Sequence, residues 1–560
     1  MKKTKIIYIA LTASLIVGSC KQEPIKLTPP EVVTPPVVTP SKGTADFTKF
    51  VAIGNSLTAG YQAGALFTEG QKNSLGAILA QQFATVGGGA FNQPDINSVN
   101  GFNTTTTNPP AGSATILGRI VLFDPDGSGP RSAGPAALGT PARTVTCPST
   151  VSTPAVPGSG DAPAAFSGNK AALNNFGVPG IQLIQAIIPQ TGGPSTGNPA
   201  FNPFYQRFAS NPGTSTILGD AVAANGSFFM FFLGNNDILG YATTGGSGAI
   251  PLTTLGGAPG PGTGFQATYQ SIIATLLAAN PNSKGVVGNI PNVTNIPFFL
   301  TVRFNAVTLT AEQASALNGG FAGYNAILDA IKANPVLLAL SGSTAANLDA
   351  RKVTYAAGAG NRILISEKSP EFPDLGPTFD ALQGAGSITA AQRAGLEPYR
   401  RVRQATATDL ITLSAGAVLG TCLNPPGNNA TAIIGTSIPL ADQFVLIPSE
   451  IQAILTRTAE FNNVIKAAAD NSNNRIALAD VNAVFAKLIT DRLQIIDGVA
   501  VSPSFAPPTG LFSEDGVHPN NRGSAYLANV FIDAINAKFN ATIPRANLSK
   551  FSGTFIPINP

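Results

Sequence analysis

The stretch SFFMFFLGNNDILG, residues 227–240, decides the fold class. Its first half is a continuous aromatic and apolar run that ends at Gly234, which is typical of a central strand buried on both faces. FQATYQSIIATLLAANP (265–281) follows with the spacing of an amphipathic helix, and KGVVGNIP (284–291) then has the apolar character of a second strand. Strand, helix and strand in this order predict βαβ units and a parallel sheet.

The same pattern recurs towards both ends of the chain. FVAI (50–53) predicts a buried strand, and SLGAILAQQF (74–83) predicts a helix after it. Near the other end we predict a helix at 449–470, a strand at RIALADV (475–481) and a helix at RGSAYLANVFIDAINAKF (522–539). One face of this last helix carries Leu527, Phe531, Ile535 and Phe539. LNNFGVPGIQLIQAII (173–188) predicts a turn that leads into a helix.

Two long segments interrupt this pattern. Residues 86–170 are dominated by Gly, Asn, Thr, Ser and Pro, with one strand-like island at GRIVLF (118–123). Residues 300–445 mix helix and strand fragments, including a helix that Thr310 opens as a cap with Gln313 three residues on. We therefore predict one domain over 46–545 with two insertions, followed by an irregular tail at 546–560. Loops of this length are uncommon unless they are functional.

The N-terminus has the layout of a secretory signal. MKKTK is basic, IIYIALTASLIVGS is apolar, and Cys20 follows, which predicts a signal peptide over 1–19. The ending VGSC resembles a bacterial lipobox, in which Cys20 carries the lipid. A membrane anchor is the alternative, but the run is shorter than the ~20 apolar residues that a spanning helix needs. Residues 20–45 are rich in proline and threonine and predict an extended tether. We expect an exported lipoprotein of the bacterial cell envelope, held by its lipid in the outer membrane, with the face it occupies left open.

Composition narrows the partners and cofactors. The formal net charge is +4 with 11% charged residues, and basic residues form no long cluster, which argues against a nucleic-acid partner. A single histidine excludes a histidine-based zinc site, and no phosphate-loop or dinucleotide motif occurs, so we expect no metal and no cofactor. Cys147 and Cys422 are the cysteines beyond Cys20. In an exported protein they can form a disulfide, and two unpaired thiols are the alternative.

Ser56 and His518 are the first candidates for chemistry. Ser56 directly follows the FVAI strand, where the carboxyl edge of a parallel sheet faces the ligand crevice. A serine at this place is most often a helix N-cap, and that alternative stands for GNSL alone. His518 is the only imidazole in the chain and follows Asp515 by three residues, so that the carboxylate can accept from one ring nitrogen. A surface histidine beside a turn is the alternative.

Two further residues can serve as hydrogen-bond donors. Asn236 lies just past the central strand, and Gly180 precedes a predicted helix. A side-chain amide and a backbone N–H can both stabilise an oxyanion, although turn formation and helix entry also explain these residue types. A second serine motif, GPSTG with Ser195, matches the GxSxG elbow. No strand precedes it, so we interpret it as a chance match in a loop.

Four motifs with candidate site residues occur in order along the chain: GNSL with Ser56, NFGVPG with Gly180, GNND with Asn236, and DGVH with Asp515 and His518. This series resembles the blocks of the SGNH (GDSL) hydrolase family. The resemblance covers about 45–300 and 445–545 and leaves both insertions outside. Asn55 stands where many members have aspartate, which is not a triad position and does not exclude activity.

The resemblance implies a three-layer α/β sandwich around a mainly parallel, flavodoxin-like sheet. It implies ester hydrolysis through an acyl-enzyme, with Ser56 as nucleophile, His518 as base and Asp515 as the group that orients the base. The oxyanion hole would comprise the backbone N–H groups of Ser56 and Gly180 and the side chain of Asn236. Transfer of the acyl group to an acceptor other than water stays open.

The motifs define the substrate less narrowly than they define the reaction. We expect a small-molecule, lipid or acylated-sugar ester, with the insertions shaping the acyl and alcohol pockets. The alternative class is a non-catalytic surface lipoprotein that keeps the fold and binds glycan or protein through its insertions. The polar composition of the insertions and Asn55 keep that alternative open.

Overall fold

The computed structural model describes residues 39–103, 116–125, 134–146, 150–422, 432–554 and 558. The predicted signal peptide, Cys20, most of the tether and Cys147 lie outside these residues. The compact unit begins at Pro40, and the Thr44 N–H donates to the Phe539 carbonyl oxygen at 2.9 Å. The last residues of the predicted tether, 40–45, therefore belong to the folded body. No helix in the described part of the chain has both the length and the apolar character needed to cross a membrane.

A parallel sheet forms the centre of the molecule. Within the described residues its five strands are β1 (Phe50–Gly54), β2 (Asn175–Gly177), β3 (Phe228–Phe232), β4 (Lys284–Gly288) and β5 (Ile476–Ala479). They lie in the order β2-β1-β3-β4-β5, and every neighbouring pair is parallel. Every residue of β3 is buried, as the continuous apolar run predicts.

Four of these strands confirm the sequence predictions, and β2 corrects one. The segment 173–188 was predicted as a turn leading into a helix, but it begins with β2 and continues as the 3-10 turn Leu183–Ala186. Pairing with β1 holds this short strand in place, with Ala52 opposite Asn175. The Asn175 side chain also donates to the Thr58 carbonyl oxygen at 2.9 Å. A three-residue strand with one large apolar side chain is defined by these long-range contacts rather than by its own pattern.

Helices cover both faces of the sheet, and aromatic contacts of β3 show this directly. Phe228 and Phe232 pack against Phe539 and Phe531 of one helix, with ring centroids 5.9 and 5.4 Å apart. Phe231 packs against Tyr269 of another helix at 5.3 Å. Alternate residues of a strand point to opposite faces, so the two helices lie on opposite sides and the fold has three layers. The flanking helices are Leu75–Ala84 and Asn521–Phe539 on one side, and Ile217–Ala223, Phe265–Ala279 and Pro448–Asp470 on the other.

The first insertion contains more strand than its composition predicts. The predicted island at 118–123 forms Ile120–Phe123 and pairs with Gly134–Ala137. A second antiparallel pair joins Arg143–Thr146 to Thr150–Thr153. Gly, Thr and Ser give these hairpins little hydrophobic alternation, which is the signal that strand prediction needs.

The second insertion has its own apolar cores. Leu328, Phe379 and Val402 belong to a buried cluster that is separate from the core around the sheet. Its longest helix, Ala311–Ala333, confirms the predicted capping box: the Thr310 hydroxyl accepts from the Gln313 N–H at 3.2 Å, and the Gln313 side chain accepts from the Thr310 N–H at 2.8 Å.

The remaining elements are short pieces that connect or cover these layers. The tail also packs, because Ala546 and Leu548 are buried in the main core. The remaining helices are Ser56–Ala59, Thr68–Lys72, Pro203–Gln206, Asn236–Thr243, Pro297–Leu300, Pro335–Ser341, Ala345–Ala350, Gly376–Gly384, Ala390–Gly395 and Val481–Asp491. The remaining strand pairs, all antiparallel, are Ala65–Leu66 with Phe102–Asn103, Val307–Leu309 with Gly358–Asn361, Leu364–Ser366 with Val402–Gln404, Leu410–Ile411 with Val445–Leu446, and Gln494–Ile496 with Val499–Val501.

Candidate active site

Ser56 lies at the carboxyl edge of the sheet, immediately after β1. It is the first residue of the short helix Ser56–Ala59, whose N-cap is Asn55. The Asn55 side-chain oxygen accepts a hydrogen bond from the Leu57 N–H at 3.0 Å. The alternative in which Ser56 is itself the cap is therefore wrong, because Asn55 satisfies that donor. The Ser56 hydroxyl is left to bond elsewhere.

That hydroxyl is hydrogen-bonded to the only histidine of the chain. Ser56 Oγ lies 2.9 Å from His518 Nε2, and His518 Nδ1 lies 2.8 Å from Asp515 Oδ2. His518 and Asp515 come from the loop before helix Asn521–Phe539, more than 450 residues after the serine. The Tyr61 ring packs edge-on against the imidazole, with centroids 4.9 Å apart. The structure thus brings the three predicted triad residues into one hydrogen-bonded row.

Asp515 is buried and accepts several hydrogen bonds. Its Oδ1 accepts from the backbone N–H groups of Val517 and His518, both at 2.9 Å, and its Oδ2 accepts from the Gly64 N–H at 2.8 Å. Burial on its own raises the pKa of Asp515, but the charge of His518 and these hydrogen bonds outweigh it and lower the pKa to about 2. The carboxylate is therefore ionised at neutral pH and fixed in orientation towards the imidazole.

The two predicted oxyanion donors line the same cavity as Ser56. Gly180 has φ +80°, a left-handed conformation that favours glycine, and no atom lies within 4 Å of where its Cβ would be. Backbone conformation rather than space therefore explains this glycine. Asn236 opens the helix Asn236–Thr243, and its amide donates to the Ile181 carbonyl oxygen at 2.8 Å. An amide carries two N–H donors, so this contact leaves one for a ligand.

Asp237 holds the loop around Gly180 in place, and the sequence reasoning missed it. Its carboxylate accepts from the Leu183 N–H at 2.8 Å and from the Thr253 hydroxyl at 3.0 Å. Burial raises the pKa of Asp237 to about 7, although these hydrogen bonds oppose the shift. The sequence did indicate that Asp237 lies beside Asn236 in GNND. It did not indicate that Leu183 and Thr253 would be the hydrogen-bond partners of Asp237.

A cavity of about 990 Å³ opens in front of Ser56 and His518. Both insertions contribute to its wall, as expected for segments that shape a binding pocket. Ile120, Gly134 and Pro135 come from the first insertion, and Val302, Leu413, Ser414, Gly416 and Ala417 come from the second. The segment that leads into the second insertion contacts the loop 513–520, which carries Asp515 and His518, because the Phe298 N–H donates to the Gly516 carbonyl oxygen at 2.9 Å.

Other residues singled out in the sequence lie away from this row. Ser195 is exposed in a turn, which agrees with the interpretation of GPSTG as a chance match. Cys422 is disulfide-bonded. Cys20 and Cys147 lie outside the described residues, so the predicted pairing of Cys147 with Cys422 stays a prediction. In the described part of the chain, no group of three or more His, Cys, Asp and Glu side chains is placed to hold a metal ion.

Comparison of the chain with protein-family models, with curated proteins and with solved structures gave no match. The chemistry of the site has to be argued from its geometry. A serine hydroxyl bonded to an imidazole, a buried ionised carboxylate behind that imidazole, and donors beside an open cavity are the components that nucleophilic acyl transfer requires.

Proposed function

We propose that this protein is a serine hydrolase that cleaves carboxylic esters through an acyl-enzyme intermediate. The observation that carries the proposal is the row from Ser56 through His518 to Asp515, with both contacts under 3 Å. This row ends at a cavity large enough for a small ester. Structural ion pairs do not need such a cavity, whereas a nucleophile does.

In the first half of the reaction, Ser56 Oγ attacks the ester carbonyl carbon while His518 Nε2 takes the hydroxyl proton. Asp515 keeps the imidazole oriented and stabilises its charged form. The oxyanion accepts hydrogen bonds from the backbone N–H groups of Ser56 and Gly180 and from the side chain of Asn236. His518 then returns the proton to the leaving alcohol, and the acyl group stays on Ser56.

In the second half, water attacks the acyl-enzyme carbonyl. His518 takes one proton from this water and gives it back to Ser56 Oγ as the acid leaves. The same oxyanion donors act again, because the second tetrahedral intermediate occupies the same place. An alcohol acceptor in place of water would give acyl transfer by the same steps.

We further propose that the protein is a member of the SGNH (GDSL) hydrolases. The four motifs support this, and so does the strand order β2-β1-β3-β4-β5, which is the flavodoxin-like order. In such sheets ligands bind at the carboxyl ends of the strands, where Ser56 and Asn236 lie. The Asn55 departure is compatible with this assignment, because asparagine caps a helix as well as aspartate does.

The proposed location is the bacterial cell envelope, with the protein exported and lipidated on Cys20. The basic start, the apolar run and the lipobox-like VGSC support this proposal. The substrate is then a small-molecule, lipid or acylated-sugar ester that reaches the envelope. The proposed partners are this ester and the membrane that holds the lipid.

Labelling with a fluorophosphonate tests the proposed function, because this reagent reacts with activated serines. The full-length protein in mild detergent should form one adduct, which peptide mass spectrometry should locate on Ser56. Ser56→Ala and His518→Ala should abolish the adduct, whereas Ser195→Ala should retain it. A folded protein that forms no adduct at any serine would contradict the proposal and favour a non-catalytic binding protein.

A further inference from the structure

Glu514 is a second carboxyl group at the candidate active site, and the proposed mechanism does not use it. It directly precedes Asp515 in the loop 513–520, and the residue lines the same cavity as Ser56 and His518. The residue is only 5% exposed. On its other side it borders a small recess that includes Gln62 and Arg119.

The Glu514 carboxyl has few partners for a group so deeply buried. Within the described residues, no other residue donates a hydrogen bond to it. Its neighbour Asp515, by contrast, is bonded by three backbone N–H groups and an imidazole. Buried polar groups nearly always have partners, because leaving them unpaired costs free energy. Glu514 lines the cavity, so a group that enters there can supply the missing partner.

The chemistry of that partner follows from the state of the carboxyl. Burial raises the pKa of Glu514 to about 7, its own N–H opposes the shift, the negative charge of Asp515 adds to it, and Arg119 opposes it. Near neutral pH both the acid and the carboxylate are therefore present. A hydroxyl group complements both forms, because it accepts from the acid and donates to the carboxylate. A cation complements only the carboxylate.

The rest of the cavity wall indicates what accompanies that hydroxyl. Ile120, Phe298, Val302 and Leu413 present apolar side chains to the cavity. They suit the hydrocarbon part of an ester and offer no hydrogen bond. Asn202, Thr243 and Ser414 also line the cavity, but their side chains are hydrogen-bonded within the protein. A polar group of the substrate therefore gains most from pairing with Glu514.

We propose that Glu514 is a specificity-determining residue that binds a free hydroxyl group of the substrate, so that the enzyme prefers esters of polyhydroxylated alcohols to esters of simple alcohols. The proposal rests on the proposed ester hydrolase function. It narrows the substrate class to esters such as those of glycerol or a sugar.

Two esters that differ only in hydroxyl groups test this proposal. Glycerol 1-butyrate and propyl butyrate share an acyl group and a three-carbon alcohol, but only the first has free hydroxyls. The full-length protein should hydrolyse glycerol 1-butyrate with the higher kcat/KM. Glu514→Met should lower the ratio of the two kcat/KM values about tenfold or more, because a site built to hydrogen-bond a hydroxyl loses that contact. Glu514→Gln should keep most of the preference, because its amide can both donate and accept.

A matched control is Glu69→Gln, which removes an exposed carboxyl that borders the same small recess but not the cavity. It should leave the ratio unchanged. If Glu514→Met does not fold, Glu514→Ala removes the same hydrogen bond. A ratio that changes by less than about twofold in a folded variant would overturn the proposal. Absence of turnover for both esters, with no adduct on Ser56, would instead contradict the proposed function and the role of Glu514 with it.

Discussion

Two buried clusters of ionisable side chains in this molecule look alike and differ in what surrounds them. One is the Ser56–His518–Asp515 row, in which Asp515 is hydrogen-bonded to His518. The other lies in the second insertion, where Arg403 bonds Glu367 at 2.7 Å and Asp409 through two N–H groups at 2.6 Å. The side chains of the Arg403 cluster are 7% exposed or less. In each cluster a nitrogen-bearing side chain is hydrogen-bonded to one or two buried carboxyl groups.

The carboxylates of the Arg403 cluster are paired with Arg403 and with nearby backbone N–H groups. Asp409 also accepts from the Thr406 N–H at 2.7 Å, and Glu367 accepts from the Ser369 N–H at 2.7 Å. Burial on its own lowers the pKa of Arg403, but its two carboxylate partners outweigh it and hold the pKa above the usual value. None of these residues lines the cavity in front of Ser56. This cluster therefore fixes the structure of the insertion and offers nothing to a ligand.

The Ser56–His518–Asp515 row differs because polar residues at and beside it border open space. Ser56 in the row, and Glu514 next to Asp515, both line the cavity. A buried charge pair by itself is thus poor evidence for a site. A buried polar group that is incompletely paired and borders a cavity is better evidence, because the missing partner is a ligand.

The largest expected effect is the loss of ester turnover when His518 is replaced, which no substitution in the Arg403 cluster should match. His518→Ala should lower ester turnover by about 10⁴–10⁶-fold, because no other imidazole can act as the base. Circular dichroism should show that the fold is retained. Ser195→Ala, at an exposed serine in a turn, is the matched control and should keep full turnover. Substantial activity in His518→Ala would rule out the triad.

A substitution in the Arg403 cluster should lower the stability of the fold rather than the turnover. Arg403→Ala leaves two buried carboxylates without their cation and should cost about 3–5 kcal/mol of unfolding free energy, measured by urea denaturation. Lys466→Ala, which removes an exposed pair with Asp470, should change stability by less than about 0.5 kcal/mol. Turnover per folded molecule should fall far less in Arg403→Ala than in His518→Ala. The opposite ranking would remove the distinction between the two clusters.

Asn236 should show whether the amide acts as an oxyanion donor. Asn236→Ala should lower turnover by about 10²–10³-fold, with little change in the binding of substrate. Asn236→Asp keeps the shape of the side chain but loses its N–H donors, so its turnover should fall at least as far. Steady-state kinetics on a butyrate ester would measure both. A loss of less than about threefold in Asn236→Ala would exclude this role.

The strands at the centre of the molecule were predictable because their apolar runs are long enough to be recognised. β3 is the clearest case, since every one of its residues is buried between two helical layers. β2 escaped prediction because its pairing with β1, and not its own composition, defines it. In the first insertion the island at 118–123 was predicted, but the other hairpin strands escaped prediction for the same reason. Composition alone does not reveal which residues of a Gly- and Thr-rich segment pair.

The candidate site was predictable in its reactive groups and not in their supports. A single histidine beside an aspartate, and a serine after an apolar run, are visible in the sequence. The hydrogen bonds of Asp237 to Leu183 and Thr253, and the burial of Glu514, depend on which segments meet across the fold. Such contacts join residues that lie far apart in the chain, so no local pattern encodes them.

The pH dependence of stability should distinguish the Glu514 carboxyl, which lacks a partner residue, from carboxyl groups such as Asp515 that accept several hydrogen bonds. Between about pH 4.5 and 7 the folded protein keeps a proton on Glu514 that the unfolded chain has released, so this group lowers stability as pH rises through that window. Raising a pKa from 4.5 to about 7 corresponds to about 3 kcal/mol. Glu514→Gln cannot titrate and should gain about that much relative to the native protein between pH 4 and pH 8. Glu69→Gln, at an exposed glutamate, should show no such gain in urea titrations at the two pH values.

The smallest expected effect concerns Asn55, which departs from the motif of the proposed family. Its Oδ1 caps the helix that presents Ser56, and its Nδ2 donates to Asn235 Oδ1 at 3.2 Å. Asn55→Ala should lose the cap and cost about 0.5–2 kcal/mol. Asn55→Asp keeps the cap, and the Asn235 amide can rotate to donate to the new carboxylate, so stability should change by less than about 0.5 kcal/mol. If Asn55→Asp were as destabilising as Asn55→Ala, the contact with Asn235 and not the cap would be what holds Ser56. The asparagine would then be a constraint of this particular buried pair rather than a neutral replacement for aspartate.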